Sequence, residues 1–123
     1  MSKYDQLSRN FSGREFACKG LGCCGGVAPM NPRLVEALQE LRDILGEPLF
    51  ISSGFRCFSH NSKIGSTDGS QHPRGTAADV WCHGKTPGEI AAEAENIEAF
   101  RQGGLGIYNT FVHLDVREGR VRW

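Results

Sequence analysis

The sequence carries no net charge: 14 lysines and arginines balance 14 aspartates and glutamates. Nucleic acid and anionic membranes attract basic patches, so neither is expected as the main partner. No apolar run approaches the roughly 20 residues that a membrane span needs. The first residues, Met1 to Gln6, are polar and lack the apolar stretch of a secretory leader. Synthesis in the cytoplasm is therefore expected, and a substrate outside it would require some other agent of delivery or release. Cysteines are odd in number, at five, which does not read as a secreted disulfide framework. Reduced, partly buried thiols are the plain reading. A structural metal site on Cys18, Cys23 and Cys24 is the sharper one, although C-x4-C-C departs from the usual C-x2-C knuckle.

What is present fits one domain over residues 1–123, with residues 1–30 as its loop-rich N-terminal part. A core of this size is modest, and a metal would help to stabilise it. Phe11, Phe16 and Val27 are the expected anchors of the N-terminal part. Asn31-Pro32 then gives an N-cap and a first-turn proline. Leu34, Val35, Leu38, Leu41, Ile44 and Leu45 follow at helical spacing, until Gly46 and Pro48 end the helix. Residues 48–52 read as a buried strand. Residues 53–75 turn to Ser, Gly, Asn, His and Arg, and so long a polar loop inside a compact domain points to function.

Strand character returns over 77–81, and Thr86 to Glu89 has the capping-box pattern that opens a helix over 87–101. Residues 105–108 and 111–116 form two strands joined at Asn109-Thr110, and 120–123 add a short last strand. The predicted class is α+β, with a small antiparallel sheet and helices to one side.

A hydrolytic zinc site takes three nitrogen or oxygen ligands and leaves a fourth position for water. The sequence has four histidines: His60, His72, His83 and His113. Ser70 to Asp79 sets His72 and Asp79 seven apart, at a loop and a strand edge. In the strand around His113, alternation places Phe111, His113 and Asp115 on one face and Val112, Leu114 and Val116 on the other. The second set is wholly apolar and faces the core, so His113 points to the opposite side.

Three segments carry a resemblance. Ser70-x-His72-x-x-Gly75-x-Ala77-x-Asp79 resembles the central motif of the zinc D-Ala-D-Ala carboxypeptidase family, metallopeptidase family fifteen, which includes phage endolysins. Ser52-Ser53-Gly54-Phe55-Arg56 resembles its upstream S-G-[YF]-R segment, and Phe111 to Arg117 its closing H-x-D-V-R strand. The likeness runs in order over roughly residues 11–123. It implies a fold shared with hedgehog signalling domains and a zinc ion on His72, Asp79 and His113. It also implies that Arg56 grips a substrate carboxylate or a developing oxyanion, with Ser70 and Gln71 beside it at the substrate. A guanidinium suits that task; the plainer alternative for Arg56 is a surface ion pair.

The pattern departs at the general base. Relatives carry an acidic residue three positions before the last zinc histidine or a histidine two before it, where this chain has Thr110 and Phe111. Asp115 is the nearest substitute, as catalytic base, as a partner orienting His113, as a fourth ligand or in a plain salt bridge. His60 and His83 read as surface or packing residues, and Ser70 as a loop-shaping hydrogen bonder. The resulting expectation is a monomeric zinc peptidase cutting peptidoglycan stem peptides at the cell wall, of phage type. The competing expectation is a zinc-containing module that binds cell-wall peptide or a protein partner without cleaving it.

Overall fold

The computed structural model of the chain describes residues 5–25, 29–66 and 69–123. Its elements in order are α1 (Gly13–Phe16), α2 (Pro32–Leu45), β1 (Leu49–Ser53), α3 (Phe58–Lys63), a 3-10 turn (His72–Arg74), β2 (Ala77–Cys82), α4 (Pro87–Ala94), α5 (Glu98–Arg101), β3 (Gly104–Ile107), β4 (Val112–Asp115) and β5 (Val121–Arg122). The class is α+β, as predicted.

Helix α2 starts and stops where its caps dictate. Asn31 accepts a hydrogen bond from the Arg33 backbone N–H at 2.8 Å, Pro32 holds the first position and Gly46 closes the last turn. Leu34, Leu38 and Leu41 are fully buried, each worth about 1.5–3 kcal/mol of transfer free energy. Ile44, at the edge of the same stripe, stays exposed.

The sheet runs β1-β2-β4-β3-β5. All pairings are antiparallel except the last: β5 lies parallel to β3, which corrects the expectation of a purely antiparallel sheet. The chain reaches that edge by turning back after β4 and passing Gly119, so β5 enters in the direction of β3. Ala78, Val80, Val112, Leu114 and Leu105 line one face of the sheet and are buried. Helices α4 and α5 cover β3 and β4 on that side, and α2 packs on both helices. Phe11 and Phe16 are fully buried in the same core. Val27 lies outside the described residues.

Two expectations from local pattern are corrected. The helix predicted over 87–101 is two helices. After Ala94 the chain tightens into i→i+3 bonds, Asn96 N–H to Glu93 and Ile97 N–H to Ala94, and Ile97 turns extended. This break sends the Ile97 side chain into the core, and burial outweighs helix propensity there. The polar stretch 53–75 is likewise not all loop, since it holds α3 and the 3-10 turn.

The far edge of the sheet is fastened by charge. Glu95, at the end of α4, pairs with Arg122 at 2.5 Å and with Arg120 at 2.9 Å. Hydrogen bonds from Arg122 and then Arg120 lower its pKa from 4.5 to about 2. A carboxyl with a depressed folded-state pKa contributes stability above its unfolded value, and that contribution fades as pH falls towards the folded value. Thermal melts of wild type and Glu95→Gln should differ most at neutral pH, and the gap should close between pH 4.5 and about 2. A gap of constant size across that range would show that Glu95 acts through packing instead.

Candidate metal centre

The register of β2 against β4 sets Asp79 directly opposite His113. Both side chains leave the sheet on the face away from the helices, because their neighbours Ala78, Val80, Val112 and Leu114 fill the core. His72 comes from the 3-10 turn that leads into β2. Gly75 makes that approach possible: its φ is +72°, and a Cβ there would come within 2.0 Å of the Pro29 carbonyl oxygen. A bulge at Ser52, between the pairs Ile51–Val80 and Ser53–Asp79, bends β1 beside the site.

The three side chains converge. His72 Nε2 lies 3.3 Å from Asp79 Oδ1, and His113 Nδ1 lies 3.1 Å from the same oxygen. Within this group one donor atom from each residue lies within 4.8 Å of the others. The outer nitrogens are anchored in opposite senses. His72 Nδ1 donates to the Gly54 carbonyl at 2.7 Å, which leaves Nε2 with its lone pair. His113 Nε2 bonds Asp115 Oδ2 at 2.7 Å, which leaves Nδ1 with its own. Such outer partners are what fix the tautomer of a metal-ligating histidine.

Electrostatics follow from this packing. Burial would raise the Asp79 pKa, but the adjoining His113 and His72 rings outweigh it and hold the carboxylate at about 2. Burial opposes charge on His113 as well, yet Asp115 and Asp79 on either side raise its pKa. Asp115 is 0% exposed, and burial works against its charge. His113 and Arg117 overcome that and keep it ionised well below the usual carboxylate range. Arg117 grips Asp115 through Nε and Nη2, and the backbone N–H groups of Gly104 and Arg117 also donate to it.

A cavity of about 570 Å³ opens over the three residues, and Arg56, Ser70 and Gln71 line it with them. Arg56 Nη2 reaches Ser70 Oγ at 3.5 Å, while its buried Nε has no hydrogen-bond partner. Ser70 Oγ also accepts from the His72 backbone N–H, so it shapes the turn as expected. Gln71 is itself held by the Thr76 hydroxyl at 2.9 Å. His83 is exposed, its ring against Trp81 and Phe50, and neither it nor His60 joins the group.

Asp115 stands behind His113 and does not line the cavity. Its side-chain hydrogen bonds go to His113, Arg117 and Gly104, so the geometry fits the orienting role and disfavours the catalytic-base and fourth-ligand readings. Two residues of the site went unassigned in the sequence. Arg117 shares the strand face of His113 and Asp115, and alternation carried two residues further would have suggested it. Trp123 gave no such signal. Its ring lies 4.9 Å from that of His113 and its Nε1 donates to the Tyr108 hydroxyl, both through the parallel β5 pairing.

The family model for Peptidase M15 matches residues 9–115. The chain belongs to that family. It is therefore a peptidase of a metal-dependent kind, and His72, Asp79 and His113 form a group on its cavity that could hold a metal ion. No match was found among curated proteins.

Asp115→Asn keeps the shape of the buried group but removes its charge. Loss of an outer partner of this type costs about 10–100-fold in metal affinity. Zinc titration of the peptidase variant should show that weakening, with turnover largely recovered at saturating zinc. Turnover abolished at full zinc occupancy would instead make Asp115 the base.

Proposed function

We propose that this chain is a zinc peptidase that hydrolyses peptide bonds in peptidoglycan stem peptides at the cell wall, as a D-Ala-D-Ala carboxypeptidase or an endolysin-type endopeptidase. The observation that carries the reading is the meeting of His72 Nε2, Asp79 Oδ1 and His113 Nδ1 at one cavity that Arg56 also lines.

The donor set suits zinc. Two imidazole nitrogens, 3.3 and 3.1 Å from one carboxylate oxygen, are close enough to share one ion at bonds of about 2.0–2.2 Å. Three ligands leave the fourth position open, as a catalytic rather than a structural site requires. Zinc held there would supply a Lewis acid for a carbonyl oxygen and would lower the pKa of a water towards neutrality.

The protein's own groups do the rest. Gly54 and Asp115 hold the two imidazoles in their tautomers. Arg56 is the substrate's charge partner: burial lowers its pKa, and its partnerless Nε is a donor awaiting an acceptor. A terminal carboxylate or the oxygen that gains charge during attack fits it, because a desolvated guanidinium stabilises negative charge strongly. The Tyr108 hydroxyl accepts from Trp123, so its own proton is free to donate into the same cavity. Tyr108 stacks on Phe111 with ring centroids 4.6 Å apart, and together they offer an apolar wall for the small side chains of a stem peptide.

The test is digestion of purified muropeptides with identification of the new termini by mass spectrometry. Chelation should stop release and zinc should restore it. Arg56→Ala should lose about 10²–10³-fold in kcat/KM with zinc content unchanged. Zinc-loaded wild type that binds muropeptides but leaves them intact would favour the non-catalytic module, for which the scarcity of acidic groups is the supporting observation. Asp79 is the one carboxylate among the described residues lining the cavity.

A further inference from the structure

A second cluster of ligating atoms shares no residue with the first. The sulfurs of Cys18, Cys23, Cys24 and Cys57 all lie within 4.8 Å of one another. Cys18 follows α1, Cys23 and Cys24 sit in the next loop, and Cys57 caps α3. Sequence spacing alone could not assemble this group, because Cys57 is 33 residues beyond Cys24. Only the fold brings them together.

The separations discriminate between the states open to four cysteines. Cys18 and Cys23 sulfurs are 3.8 Å apart, Cys23 and Cys24 3.9 Å, and Cys18 and Cys57 4.0 Å. A disulfide needs about 2.05 Å, and all four are free thiols. A tetrahedral zinc with Zn–S bonds of about 2.3 Å sets its sulfurs about 3.8 Å apart. These three separations are those of a thiolate cage rather than of oxidised pairs.

The surrounding chain is built around the sulfurs. Residues 18–25 make no backbone-to-backbone hydrogen bond among the described residues, so regular structure does not hold this loop. Its fastenings are the cysteines and the Lys19 ammonium, which donates to the Ser52 carbonyl at 2.6 Å. Gly20 lets the loop run tight against α3. A Cβ there would come within 2.5 Å of Cys23 Sγ and 2.9 Å of His60 Cβ. The His60 backbone N–H points at Cys57 Sγ at 3.5 Å, the kind of amide contact that supports a thiolate. Thiols hydrogen-bond one another only weakly, so mutual attraction gives little reason for four to converge on one point.

We propose that Cys18, Cys23, Cys24 and Cys57 hold a structural zinc ion, separate from the His72–Asp79–His113 centre. Each thiol releases its proton to solvent on binding, and no electrons change hands. Four protein ligands close the coordination sphere, so the ion takes no part in hydrolysis. Its effect is mechanical: it ties the loop over 18–25 to Cys57, the residue after Arg56, and so fixes the segment that brings Arg56 to the cavity.

Metal content and cobalt spectroscopy of the reduced full-length chain test this. Two sites predict about two ions per chain. Cobalt loading should give a sulfur-to-metal charge-transfer band in the near ultraviolet, which nitrogen and oxygen donors do not produce. Cys23→Ser with Cys57→Ser should abolish the band and remove about one ion, whereas His72→Ala should remove an ion and keep the band. Cobalt-loaded wild type without the band overturns the proposal even if the cysteine variant fails to fold. A disulfide within the cluster, found by alkylation and intact mass of freshly purified protein, overturns it too. Neither result bears on muropeptide cleavage, so the two readings fail independently.

Discussion

Everything at the centre depends on one cross-strand pairing, Asp79 of β2 against His113 of β4. Side chains alternate along a strand, so a slip of one residue would turn Asp79 or His113 into the core and bring Val80 or Val112 out. The apolar face opposite, Ala78, Val80, Val112 and Leu114, makes that slip costly. The hydrophobic core therefore sets the register, and the register sets the distance between Asp79 and His113 on different strands. His72 then needs only a short turn, closed by Gly75, to complete the group.

Burying this much charge is expensive unless every atom is matched. Asp115 shows how the chain manages it. A fully buried carboxylate has its oxygens satisfied by a guanidinium fork, an imidazole and two backbone N–H groups. Removing one partner of such a buried set typically costs about 3–5 kcal/mol, because the remaining charge is stranded. Its counterpart Asp79 faces the cavity with two histidines in contact. The result is a chain of alternating acid and base, from Arg117 through Asp115 and His113 to Asp79 and His72, in which each member fixes the orientation of the next.

The periphery is held by different means. Glu95 fastens β5 through two arginines, and β5 in turn delivers Trp123 to the rim. On the other side of the site, the loop after α1 is held by Lys19 on the Ser52 carbonyl, and its cysteine sulfurs converge with that of Cys57. Both devices act on segments too short or too irregular to be stable alone; β5 reaches the cavity through Val121 and Trp123, and Cys57 adjoins Arg56, which lines it.

Much of this was open to reading from residue order. The caps of α2, the alternation in β4 and the S-x-H-x-x-G-x-A-x-D spacing depend on neighbours in sequence, and each led to an element later seen or to side chains that meet at the cavity. The hairpin turn at Asn109-Thr110 was legible for the same reason, with the Tyr108 N–H bonded to the Phe111 carbonyl. Tertiary structure alone decided the rest, because those features arise from contacts across long stretches of chain. The break before Ile97 follows from core burial, and the parallel placement of β5 from a return path that local pattern does not encode. The position of Asp115 behind His113, rather than over the cavity, follows from its clamp to Arg117 and Gly104. Cys57 joins Cys18, Cys23 and Cys24 only when β1 and α3 fold against the N-terminal loop. Sequence thus determined which residues could ligate and which face they would take; folding decided what stands behind each ligand and which distant side chains share its cavity.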